Sequence, residues 1–110
     1  MANTLRLAIC QMLIGSDRSA NLAHAGQLVA EAAQNGARLV VLPEIFSMPY
    51  RTNLMVKLAE VCPGPTTVYL ADLALSNRVI LVGGSIPEKD EEGRIFNTSF
   101  IFDEQGLVIG

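Results

Sequence analysis

The sequence predicts an α/β fold: a mixed sheet that begins as βαβαβ and continues with antiparallel hairpin strands. Three observations carry that expectation. Short runs rich in Leu, Ile and Val, apolar on both faces, alternate with two stretches of helical periodicity. Gly and Pro punctuate the junctions between them. In the last third, polar turns at Lys89–Gly93 and Asp103–Gly106 stand where helices would otherwise be, so the strands there must return antiparallel.

The first strand is expected over Leu5–Met12, where Leu5, Leu7 and Ile9 alternate with Arg6, Ala8 and Cys10. Gly15, Ser16 and Asp17 break it, and Ser16 or Asp17 can accept from the free N–H groups of a helix start. That helix runs to about Asn35, with Leu22, Ala25, Val29 and Ala32 on one narrow apolar face. Gly36 follows where a left-handed cap is wanted. Arg38–Leu42 reads as a buried parallel strand stopped by Pro43, which has no N–H to donate.

From Ile45 to about Cys62 the expectation is irregular structure, because Pro49 and the cluster Pro63-Gly64-Pro65 interrupt any regular pattern. A second helix is expected from Pro65 or Thr66 to Asn77, with Leu70, Leu73 and Ala74 on its inner side. The third strand is expected over Val79–Ile86, with Gly83 and Gly84 marking a bulge or a close approach of backbone. The fourth covers Ile95–Phe102, and Leu107–Ile109 opens a fifth. The βαβαβ start implies right-handed crossovers onto parallel neighbours.

Composition narrows the function. Eight basic against eleven acidic residues give a net charge of −3, which opposes a nucleic-acid or anionic-membrane footprint. No apolar run approaches the roughly 18 residues of a membrane span, and no basic segment precedes the apolar start as in a signal peptide. Cys10 and Cys62 have no metal-type spacing and do not suggest a disulfide scaffold. No cofactor or metal is expected, and a cytoplasmic location fits. Charged residues make up only 17% of the chain, against about 25% in typical soluble domains. That low share points to a partner surface or to further fold beyond these residues.

The chemistry-bearing candidate is Glu44. Open α/β sheets place reactive groups at the carboxyl ends of their strands, and Glu44 follows Leu42-Pro43 at such an end. A bare Leu-Pro-Glu is more often a solvated strand end, so its context decides. Cys10, mid-strand, reads as a small packed hydrophobe. Cys62 precedes Pro63 in a loop and matches no nucleophile motif. Lys57, Lys89 and His24 lie in polar, solvated settings. Gly83-Gly84-Ser85 lacks the spacing of a phosphate loop and does not open a helix. A flavodoxin-like nucleotide-binding domain, suggested by βαβαβ alone, is opposed by the absence of a glycine-rich turn after Met12.

The context is a series of segments in order: Val40-Val41-Leu42-Pro43-Glu44-Ile45-Phe46 with Pro49-Tyr50, then Pro63-Gly64-Pro65-Thr66, then Leu81 to Glu88, then Asn97-Thr98, then Asp103 to Gly106. Together they resemble the nitrilase superfamily of carbon–nitrogen hydrolases, in particular its ω-amidase branch. The resemblance covers residues 1–110 and identifies them as the amino-terminal part of a single domain, incomplete here. It implies a partial α-β-β-α sandwich and a glutamate–lysine–cysteine site that hydrolyses a small-molecule amide. Glu44 matches the glutamate, the general base; the lysine and cysteine would lie beyond Gly110. Tyr50 corresponds to a position near the substrate pocket. The resemblance also implies a homo-oligomer, a dimer, in the full-length form. The competing expectation is a non-catalytic module that acts only by association with related subunits.

Overall fold

The computed structural model describes residues 3–110. Its elements are β1 (Leu7–Ile9), α1 (Arg18–Gln34), β2 (Leu39–Val41), α2 (Thr52–Leu58), α3 (Pro65–Asn77), β3 (Ile80–Val82), β4 (Ile86–Lys89), β5 (Ile95–Thr98) and β6 (Ile101–Phe102). One sheet runs β1-β2-β3-β6, parallel except for β6, and β4 and β5 pair as a separate antiparallel ribbon. The mixed α/β architecture expected from the sequence is therefore present.

The helix boundaries follow from local chemistry. The Asp17 carboxylate accepts from the N–H groups of Ser19 (3.0 Å) and Ala20 (3.5 Å), which starts α1. Gly36, at φ 88, ends it. In α3, Pro65 takes the first position and the Thr67 hydroxyl accepts from the Gly64 N–H at 2.7 Å.

Strand register assigns the two faces of the main sheet. Ala8, Val40, Leu81 and Phe102 are mutually paired and so share one face; the last three are fully buried. They pack with Ala25 and Val29 of α1 and Leu70 and Ala74 of α3. The opposite face carries the rows Leu7–Leu39–Ile80 and Ile9–Val41–Val82–Ile101. Among the described residues no helix covers it, and Leu7 and Ile9 are 50% and 76% exposed.

Three expectations are corrected. The stretch 45–62 contains α2, whose half-buried Leu54, Met55 and Leu58 lie on one side, next to β4. The prolines at 49 and 63 bracket this helix without entering it. The third and fourth strands are each split. The chain turns at Gly83–Ser85, so β3 belongs to the main sheet and β4 to the ribbon. The return path turns at Ser99–Phe100, so β5 pairs with β4 and β6 with β3. The two halves of Ile95–Phe102 thereby lie in different surroundings: Phe96 is exposed while Phe102 is fully buried. Leu107–Ile109 forms only a bridge, between Phe102 and Val108, although the Ile109 N–H still donates to the Ile101 carbonyl at 2.8 Å.

Candidate active site

The turn between the two sheets creates a cleft of about 320 Å³, lined by Leu42, Glu44, Val82, Gly84, Ser85, Asn97 and Ser99. It lies at the carboxyl ends of β2 and β3, closed on its far side by β5. β1 contributes no residue to its walls.

Glu44 is exposed at this cleft, two residues after β2 leaves the ladder at Leu42. Its Oε1 accepts from the Asn97 Nδ2 at 2.8 Å, and Asn97 is part of β5. Among the described residues Oε2 has no protein hydrogen bond, so one carboxylate oxygen is held and the other is left unbonded.

The backbone below this carboxylate is fixed from several sides. Ile45 sits at φ 47, in the left-handed region that a β-branched residue rarely occupies and that costs roughly 1–3 kcal/mol. Its N–H donates to the Ser85 Oγ at 3.0 Å. Gly84, at φ 62, lies so close to the loop that a Cβ there would overlap the Pro43 carbonyl oxygen. From the other side, the Asn21 side-chain amide of α1 donates to the Ser47 carbonyl at 3.1 Å and to the Gly15 carbonyl at 2.9 Å. Ile45, Phe46, Ser47 and Met48 are all buried. A loop with this much backbone out of water needs such partners, because a buried unpaired N–H or C=O is costly.

Tyr50 is 68% exposed and is not among the residues lining the cleft. Cys10 is buried, and burial, with a smaller contribution from the Glu31 charge, raises its thiol above the ordinary range. Cys62 is half-buried; burial first, then the charge and hydrogen bond of Glu88, push its thiol up to about 11. Neither sulfur lines the cleft, and neither is poised as a thiolate near neutral pH. His24, Lys57 and Lys89 are exposed, away from the cleft. Among the described residues no group of three His, Cys, Asp or Glu side chains could hold a metal ion, and no helix is long and apolar enough to cross a membrane.

Sequence reasoning named Glu44 but missed Asn21, Ser85 and Asn97. Asn97 and Ser85 were both inside segments it quoted, yet their relation to Glu44 depends on the bend that carries β4 and β5 out of the main sheet.

A family model described as carbon–nitrogen hydrolase matches residues 6–110. This chain belongs to the carbon–nitrogen hydrolase family. Among curated relatives, "Nitrilase homolog 2" of Dictyostelium discoideum is 43% identical over 105 residues, 94% of this chain and 32% of that protein. "Omega-amidase NIT2" of Mus musculus is 42% identical over 107 residues, 97% of this chain and 38% of that protein. The chain thus spans between 32% and 38% of the length of these curated relatives. Among solved structures, Saccharomyces cerevisiae Nit3, described as a member of branch 10 of the nitrilase superfamily, superposes with a TM-score of 0.80 at 38% identity. That match covers 88% of this chain and 38% of the yeast one. An amidase from Nesterenkonia sp. shares the fold, with a TM-score of 0.81 at 23% identity over 96% of this chain and 41% of its own. The nitrilase-type fold expected from the sequence is the fold observed.

Proposed function

We propose that residues 1–110 supply the general-base part of an ω-amidase-like site, which releases ammonia from a small dicarboxylic monoamide through a cysteine thioester. The observation that carries the proposal is the placement of Glu44: a carboxylate at a strand-end cleft, with one oxygen held by Asn97 and the other open. The similarity to proteins named omega-amidase supports the choice of reaction class.

The lysine and cysteine of the site are placed beyond Gly110, in the remainder of a longer chain. The Glu44 carboxylate takes the proton from the cysteine S–H. The resulting thiolate bonds to the amide carbon, and the lysine stabilises the oxyanion that forms. The C–N bond breaks as the nitrogen takes the proton back from Glu44, leaving ammonia and a thioester. A water then adds to the thioester carbon and gives its proton to Glu44. The C–S bond breaks, the thiol is restored and the carboxylic acid leaves. A free thiol is mostly protonated at neutral pH, so the first proton transfer is what the base contributes.

Cys10 and Cys62 are poor substitutes for the missing nucleophile, since burial raises both thiols and neither faces Glu44. A contact between Tyr50 and substrate rests on the family resemblance, and its exposed ring is available to an amide that reaches past the cleft walls. The test is Glu44→Gln in the full-length protein, with ammonia release and thioester accumulation measured on the monoamide of succinic acid. Both should vanish while the fold is kept; retention of most of the activity would show Glu44 to be structural. In the same assay Tyr50→Phe should raise KM and leave kcat nearly unchanged.

A further inference from the structure

We propose that Asn97 and Ser85 are positioning residues for Glu44, Asn97 holding its carboxylate and Ser85 holding the strained turn from which it projects. The inference rests on the base role proposed above for Glu44. Two separate contacts point to it, and neither is needed to complete a strand or a helix.

The first is the amide of Asn97. A carboxylate that must take a proton from one particular sulfur has to present one oxygen in one direction. Glu44 is exposed, and left alone its side chain would sample several rotamers. The Asn97 Nδ2 donates to Oε1 at 2.8 Å, which restricts the carboxylate and leaves Oε2 for the proton transfer. Asn97 pairs with Pro87 across the ribbon, so its backbone position is set by β4 and its side chain extends to the cleft. Its amide supplies donors without a charge and holds the carboxylate without competing for the proton.

The second contact is the Ser85 hydroxyl. Ile45, directly after Glu44, has φ 47 and is 2% exposed. A buried β-branched residue in that region persists only where its surroundings over-determine it. The Ser85 Oγ accepts the Ile45 N–H at 3.0 Å, and Gly84 lets the Pro43 carbonyl come close. The three residues 43–45 are thus fixed by the turn that separates β3 from β4. The same turn carries the chain into the ribbon that holds Asn97, so backbone and carboxylate are located from one origin.

The test uses the full-length amidase and ammonia release from the monoamide of succinic acid. Asn97→Asp keeps the shape but replaces the donor by a second carboxylate. Asn97→Ala removes the contact, and both changes are at an exposed position, where the fold should be kept. Ser85→Ala removes the acceptor, and Ser85→Thr restores a hydroxyl. Asn97→Asp, Asn97→Ala and Ser85→Ala should each lower kcat roughly 10- to 100-fold, as expected for a misplaced reacting group. KM should stay within about twofold, and Ser85→Thr should recover most of the loss. A role in substrate contact would instead raise KM. If both folded Asn97 variants keep kcat within about twofold of the parent, positioning by Asn97 is wrong. If Ser85→Ala does so too, or if Ser85→Ala and Ser85→Thr lose kcat equally in folded protein, positioning by Ser85 is wrong. If Ser85→Ala does not fold, Ser85→Thr and the two Asn97 variants decide. Full activity of Glu44→Gln would overturn the underlying base assignment, whereas an inactive Glu44→Gln beside fully active Asn97 variants would overturn positioning alone.

Discussion

Arg18 and Glu60 form an ion pair between the amino ends of α1 and α3, and the Arg18 guanidinium also donates to the Thr66 Oγ1 at 2.7 Å. The Glu60 carboxylate in turn accepts from the Thr66 N–H at 2.9 Å, which supplies the helix start with the acceptor that its Gly64 cap lacks. The Glu60 side chain is only 11% exposed. Removing it strands a cation whose Nε is already buried without a partner among the described residues. Breaking a buried pair by deleting one member costs about 3–5 kcal/mol. Glu60→Ala should therefore lower stability by about 2–3 kcal/mol, somewhat less than that range because Arg18 retains solvent access. Denaturant unfolding checks this, and Arg18→Met in the Glu60→Ala background should restore part of the loss.

Gly84 and Gly93 separate two effects that glycine replacement usually mixes. Both have positive φ, 62 and 80, but Gly93 has open space around it while Gly84 faces the Pro43 carbonyl. Gly93→Ala should cost about 1 kcal/mol, the strain of the left-handed region. Gly84→Ala adds a backbone clash and should cost at least about 3 kcal/mol, or fail to fold. Thermal unfolding of the two variants gives the comparison; equal midpoints would show that the Pro43–Gly84 approach is not constrained.

The Cys62 thiol should react slowly at neutral pH. Burial and the Glu88 carboxylate hold its pKa near 11, above the ordinary 9.0, so the thiol and not the thiolate prevails up to that pH. Alkylation by iodoacetamide should rise about tenfold per pH unit until about pH 11. Glu88→Gln, which removes the neighbouring charge, should speed alkylation at any fixed pH below that. The sign for stability follows. The folded thiol keeps its proton at pH values where the unfolded one loses it, so this group's contribution is complete below pH 9 and declines as pH rises from 9 to 11.

The uncovered face of the main sheet makes a prediction about solution behaviour. Leu5, Leu7, Ile9 and Ile109 are between 50% and 76% exposed on or beside it. An apolar patch of this kind binds dyes or other copies of itself. The 110-residue chain should enhance the fluorescence of a hydrophobic dye, and Ile9→Lys should reduce that signal with little effect on unfolding. Phe102→Ala, on the helix side, should instead destabilise by about 3–5 kcal/mol. A dye-negative compact monomer would show that this face is not available.

The sequence was most legible where local chemistry decides the outcome. A cap at Ser16 or Asp17 (the structure uses Asp17), Gly36 as a helix end and Pro43 as the limit of β2 could be read from residue type alone, and with them the placement of Glu44. Helix α2 carried a readable signal in Leu54, Met55 and Leu58, but two flanking prolines outweighed it. The division of the last strands was not legible. A Gly-Gly pair permits a bulge or a change of sheet, and tertiary packing chooses between them. Asn97 and Ser85 went unnamed for the same reason, since their partners are fixed by that choice.

The passage of one hairpin through two sheets also bears on the order in which the chain assembles. Its ribbon, from Ile86–Lys89 to Ile95–Thr98, closes around a short turn and can zip before any distant segment arrives. Extension of the same pairing brings β6 to β3, whereas β1–β2 and β2–β3 each require closure of a loop containing one or two helices. The expected sequence is hairpin first and parallel strands last, so Glu44 docks onto a frame in which Asn97 and Ser85 are already placed. Pulse-labelled hydrogen exchange reads this directly: amides of the ribbon should gain protection before those of β1 and β2, and the reverse order would place the nucleus in the parallel sheet.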